Sequence, residues 1–263
     1  MSDLSIKLER CAIDAVSVTI PEGVTSIADN AFSNCTQLTS LKIPEGVETI
    51  GSYAFSACLN LKEVVLPSTV ASIGEGAFKG CSNLTSISIP EGVSELGERT
   101  FIRCARLERV SLPASLETIG DSCFRGCEAL RTVEGAVGLT TIGPRAFMTC
   151  KALERIDLPN GLENIEEGAF INCTALAQVT LPESLAWIGP CAFKGCAALE
   201  RIAIPGDVRS IEESTFEGCA HLSEVAVPDS VEFIDKAAFA GCDALQTIDI
   251  PETAEVLDES LFE

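Results

Sequence analysis

Residues 44–66 read PEGVETIGSYAFSACLNLKEVVL, and residue 67 is again a proline. The same 23-residue register places prolines at 21, 44, 67, 90, 113, 159, 182, 205, 228 and 251, and is broken only at Ala136. Counting each proline as offset 0, a phenylalanine stands at offset 11 eleven times, from Phe32 to Phe262, and a cysteine at offset 14 ten times, from Cys35 to Cys242. Self-similarity at a fixed period of this length is the signature of units that stack along one axis. Ten whole units fill 21–250, preceded by an entry segment, 1–20, that carries a degraded unit, and followed by an incomplete unit, 251–263.

Within one unit the apolar spacing changes character. Ala54, Phe55, Cys58 and Leu61 fall three or four residues apart where the chain turns back, which predicts a single helical turn. Val64-Val65-Leu66 predicts a short strand that ends at Pro67, whose ring cannot continue a hydrogen-bonded ladder. Gly51, Gly74, Gly97, Gly120, Gly143 and Gly189 share offset 7 and are expected to form the turn between the halves. A lone unit cannot bury its apolar residues, so stacking must do so, with about 4.8 Å between neighbouring strands. Like residues then align into phenylalanine, leucine and cysteine columns. Helical turns are wider than strands, so the expected α/β solenoid curves with its parallel sheet on the concave face and the turns on the convex face.

Composition narrows the classes of function. The chain has 263 residues, 46% of them hydrophobic, and a formal charge of −21. A mean hydropathy of +0.29 excludes a disordered polyanion. The acidic balance disfavours nucleic acid and anionic lipid as partners. No apolar run reaches the roughly 18 residues needed to cross a bilayer, and residues 1–20 show no leader pattern.

The pattern L-x-x-I-x-[IL]-P followed by V-x-x-I-G-x-x-A-F-x-x-C resembles the BspA-like leucine-rich repeats, a 23-residue class of that superfamily, over residues 21–262. The resemblance implies a curved right-handed solenoid used for protein binding or adhesion, often at cell surfaces. It implies no catalytic residues. The chain departs from it at Gly135-Ala136, which replace the inward aliphatic and the proline of one junction.

Thirteen cysteines raise the question of disulfides. Their odd number and the shared core offset of ten favour buried thiols and a cytoplasmic setting, with the cell surface as the alternative if a leader precedes this sequence. Cys123 with Cys127, and Cys191 with Cys196, lack the spacing of a zinc site, so no metal or cofactor is expected. His221 reads as a surface residue, and the acid pairs Glu166-Glu167 and Glu212-Glu213 as turn charges. No nucleophile has a visible base partner, so the chain is not expected to be an enzyme; a hydrolase using paired acids on polysaccharide would need a pocket that the pattern does not provide.

In a solenoid the shared offsets are scaffold, so recognition belongs to the variable ones. Offsets 19 and 21 point outward from the sheet. Residues 99–155 hold nine bases and six acids, including eight of the eleven arginines. One reading makes Arg109, Arg131 and Arg155 a docking zone for an acidic protein or peptide, oriented by Glu134 and Asp157, with Arg201 further along the same face. The other makes these arginines internal ion pairs with Glu108, Glu134, Glu154 and Asp157, each worth little. Trp187 and Phe233 break the polar run at offset 5 and form a second candidate surface, as do Ile102, Met148 and Ile171 at offset 12. At the ends, Leu4–Arg10 is expected to cover the degraded unit. Leu261 and Phe262 either cap the last coil, run on into further chain or meet a second copy, which gives a monomer or an end-to-end dimer.

Overall fold

The computed structural model describes residues 6–8, as backbone, and 16–256. The chain winds as a stack of coils, each contributing strands to two separate parallel ladders. The short ladder runs through pairs of residues at offsets 5 and 6, such as Thr49–Ile50, Ser72–Ile73 and Trp187–Ile188. The long ladder uses offsets 19 to 22: Ser40–Lys42, Glu63–Val65, Ser86–Ser88, Arg109–Leu112, Thr132–Gly135, Arg155–Ile156, Gln178–Val179, Arg201–Ala203 and Glu224–Ala226. Partners sit in register one coil apart, Thr118 against Thr141 and Arg109 against Thr132. Ile6–Leu8 pairs in parallel with Val24–Ile27, so the entry segment adds a rung to the short ladder. Leu261 and Phe262 lie outside the described residues.

The expected helical turn is absent: the described residues contain no helix. Its place is taken by a staircase in which amides bond alternately backwards and sideways. Ala54, Ser56 and Cys58 donate to the carbonyls of Gly51, Tyr53 and Phe55, three residues earlier. Tyr53, Phe55 and Ala57 donate instead to Glu75, Ala77 and Lys79 of the next coil. The cause is a left-handed residue at offsets 9 and 13 of nearly every coil, for example Tyr53 at φ 57° and Ala57 at φ 57°, or Arg99 at 59° and Arg103 at 61°. A left-handed residue every fourth position forbids a continuous right-handed helix and swings alternate amides along the stack. The three-and-four spacing of Ala54, Phe55 and Cys58 therefore reports which side chains face inward.

Gly51 also acts differently from the expectation. It is absent from the left-handed residues, and a Cβ there would lie 2.5 Å from the amide nitrogen of Asp29. It permits close approach of the preceding coil.

The core is the set of columns. Phe32, Phe55, Phe78, Phe101, Phe124, Phe147, Phe170, Phe193, Phe216 and Phe239 are fully buried. Neighbouring rings stack at 5.0 to 5.6 Å between centroids, near-parallel and within the range favoured by aromatic pairs. Beside them, each thiol of the offset-14 column from Cys58 to Cys242 donates to the phenylalanine carbonyl of the preceding coil, as Cys58 does to Phe32 at 3.1 Å.

Candidate functional site: the long-ladder face

The alternation of a strand exposes two rows along the long ladder. In Arg201–Ala203 and Glu224–Ala226 the central residue is buried and its flanks are exposed. Arg109, Arg155 and Arg201 project from this face, and Arg131, one residue before its strand, is exposed at its edge. Glu134 and Asp157 are exposed on the same face. Trp187 and Phe233 are not: they lie half-buried on the short ladder, Trp187 in register with Asn164 and Phe233 with Ser210. The structure thus divides the sequence candidates between two surfaces. Ile102, Met148 and Ile171 lie on the turn segments and are half-buried. His221 is exposed, with Nδ1 2.7 Å from the carbonyl of Ala197.

The arginines are not electrostatically equivalent. Arg131 pairs with Glu154 of the next coil at 3.4 Å, and Arg155 pairs with Asp157, two residues further on, at 2.9 Å. Among the described residues no ion pair involves Arg109 or Arg201.

The long ladder is interrupted. It falls into four sheets, with breaks after Glu63–Val65, after Thr132–Gly135 and after Gln178–Val179. A hollow opens beside each break. One of about 380 Å³ is lined by Arg131, Glu134, Glu154, Arg155 and Asp157. One of about 510 Å³ includes Gln178, Thr180, Glu200, Arg201, Ala203 and Glu224. A third, of about 480 Å³, runs from Glu63 and Val65 to Ser88 and Glu91. The central break follows the irregular junction: Gly135 at φ 89° and Ala136 at φ 55° leave the strand in a direction that a proline at offset 0 cannot take. Val137, next in line, is 69% exposed. The breaks themselves were not legible in the sequence. Two consecutive alanines at offset 21, Ala203 and Ala226, mark the place of the largest of these three hollows.

Elsewhere the chemistry is quiet. Burial pushes the Cys173 thiol up to about 12 and Cys242 up to about 11, and Cys104, Cys150 and Cys196 also lie well above the usual range. Such thiols are poor nucleophiles and poor metal ligands. On the turn side, Tyr53 donates to Glu75, which also holds Arg99 at 3.3 Å, while the Lys79 ammonium sits 5.7 Å from the Tyr53 ring. These contacts tie neighbouring coils together. Among the described residues no group of three His, Cys, Asp or Glu is placed to hold a metal, and no helix is long and apolar enough to cross a membrane.

A family model described as BspA type leucine rich repeat region matches residues 9–131 and 140–263, in six copies. The gap between the matches contains Gly135 and Ala136. A solved leucine-rich repeat protein from Bacteroides ovatus ATCC 8483 is 28% identical, covering 89% of this chain and 78% of its own, with a TM-score of 0.62. The T. pallidum leucine rich repeat protein is 36% identical over 61% of this chain and 77% of its own, at a TM-score of 0.59. A leucine-rich repeat protein from Eubacterium ventriosum ATCC 27560, 22% identical over 89% of this chain and 78% of its own, shares the fold at a TM-score of 0.51. Among curated proteins no sequence matches.

Proposed function

Since the chain belongs to the BspA-type leucine-rich-repeat family, we propose that it is a non-enzymatic scaffold that recognises a protein or peptide on its long-ladder face. One observation carries this reading: inward positions are nearly invariant from coil to coil, whereas the outward row at offset 19 of the long ladder changes at every step, from Arg109 to Thr132 to Arg155 to Gln178 to Arg201. A scaffold needs only the columns, so the variation is free to specify a ligand. The hollows beside the breaks give that face relief. The phenylalanine rings repeat at 5.0 to 5.6 Å against about 4.8 Å between paired strands, which supports curvature with the long ladder on the inner, concave side. The central arginines form the contact zone for acidic groups of the partner, with Glu134 and Asp157 orienting them and Arg201 further along. Trp187 and Phe233 form a separate apolar contact on the short ladder. Adhesion at a surface fits this architecture.

The competing reading, a spacer or subunit of a larger assembly with no specific ligand, draws on the internal pairing of Arg131 with Glu154 and of Arg155 with Asp157. Charge reversal separates the two. The triple variant Arg109→Glu, Arg131→Glu, Arg155→Glu is expected to lose capture of the partner from source lysate while its melting temperature stays within about 3 °C, because exposed pairs contribute little. Unchanged capture by the variant ends the arginine docking zone, and a chain that captures no partner at all fits the spacer reading.

A further inference from the structure

The net charge of the chain reverses along the stack. Residues 99–155 carry nine bases and six acids, whereas residues 156–256 carry 18 acids and four bases. The largest of the described hollows, about 510 Å³, lies in the acidic part. It forms where Gln178–Val179 and Arg201–Ala203 fail to pair. Arg201–Ala203 and Glu224–Ala226 do pair, and their register sets Ala203 directly beside Ala226, so the floor carries two methyl groups in place of long side chains. Among the described residues Glu200 and Glu224, which line this hollow, form no ion pair, although Arg201 stands next to Glu224 in register. The central hollow differs: its arginines are already neutralised by Glu154 and Asp157. The charges left over at the C-terminal hollow are therefore two carboxylates and one guanidinium, in a strongly negative field that attracts cations.

We propose that this hollow is the anchoring site for an extended, lysine- or arginine-bearing segment of a partner protein. The segment's main chain lies over Ala203 and Ala226, and its cations reach Glu200 and Glu224. Arg201, facing a basic ligand, supplies no favourable charge contact to it. This inference rests on the reading that the long-ladder face binds, and it adds polarity to it. Arg155 and Arg201 lie two coils apart, about 10 Å, so one partner strand crossing the coils meets arginines first and carboxylates second.

The test uses the full chain and blocked decapeptides, acetyl-(Lys-Thr)5-amide against acetyl-(Glu-Thr)5-amide, titrated by calorimetry at low salt. The lysine peptide is expected to bind in a way that depends on Glu200 and Glu224, and any binding of the glutamate peptide to be independent of them. Glu200→Gln with Glu224→Gln is expected to weaken binding at least tenfold. Glu163→Gln with Glu183→Gln, the same charge change at exposed positions away from the hollow, is expected to weaken it less than threefold. Ala203→Phe, which fills the hollow from an exposed position, should block binding, and Arg201→Gln should leave it intact or tighten it. Equal losses in the two glutamate pairs, or binding insensitive to Ala203→Phe, overturn the inference as diffuse attraction. A glutamate peptide that binds and is lost in Arg201→Gln also overturns it, while sparing the long-ladder face as the binding surface.

Discussion

The thiol of Cys127 donates to the main-chain oxygen of Phe101 at 3.2 Å, and the same oxygen accepts the amide of Cys104 at 3.1 Å. One carbonyl therefore closes a turn within its own coil and clamps the next coil on top. Cys127→Ala removes the clamp and a buried sulfur, and is expected to cost about 1–2 kcal/mol. Cys127→Ser keeps a donor and should lose less, as read from urea midpoints.

The thiol column predicts a pH dependence. Burial raises the pKa of Cys173 to about 12 and of Cys242 to about 11, with most other column members raised as well. A folded-state value above the unfolded one means that stability is fully present below about pH 8.5, the unfolded thiol value, and is lost as pH rises through the folded values. The urea midpoint should be flat from pH 6 to 8 and fall steeply from about pH 9 to 11. Replacing Cys150 and Cys173 by serine should flatten that fall; a midpoint independent of alkaline pH would contradict the buried column.

Two glycines separate contact from conformation. A Cβ on Gly135, held at φ 89°, would lie 2.0 Å from the carbonyl oxygen of Leu112, whereas one on Gly161 would meet nothing within 4 Å. Gly135→Ala is expected to destabilise by about 2 kcal/mol or more. Gly161→Ala should be neutral or stabilising by up to about 1 kcal/mol. Thermal melting of the two variants side by side checks the difference.

Truncating one ring in the phenylalanine column leaves a void between two stacked neighbours. Phe124→Ala should cost about 3–5 kcal/mol. In a stack held by nearest-neighbour contacts the damage is local. Hydrogen exchange should quicken first in the coils holding Phe101 and Phe147, before those holding Phe32 or Phe239.

The coil period, the inward columns and the outward rows could be read from side chains because stacking repeats each environment at Phe32, Phe55 and Phe78. The turn geometry could not, because Tyr53, Arg99 and Arg145 give no sign of adopting left-handed backbone. A weaker sign was present: Asn34, Gly80, Gly126, Asn172, Gly195, Gly218 and Gly241 all stand at offset 13, where residue types that tolerate that conformation gather. The separation of Trp187 from the arginines was legible in their different offsets. The hollow at Arg201 was not, since it depends on how far two backbones splay, which no single residue encodes.

The alternate amides of the turn segment give the stack a direction in time. Tyr53, Phe55 and Ala57 find their acceptors only on Glu75, Ala77 and Lys79, residues that leave the ribosome later. The backbone of each coil thus stays chemically open on its turn side until its successor has been synthesised. The growing tip of the nascent protein is always its least protected part, and the point where a chaperone has most to hold.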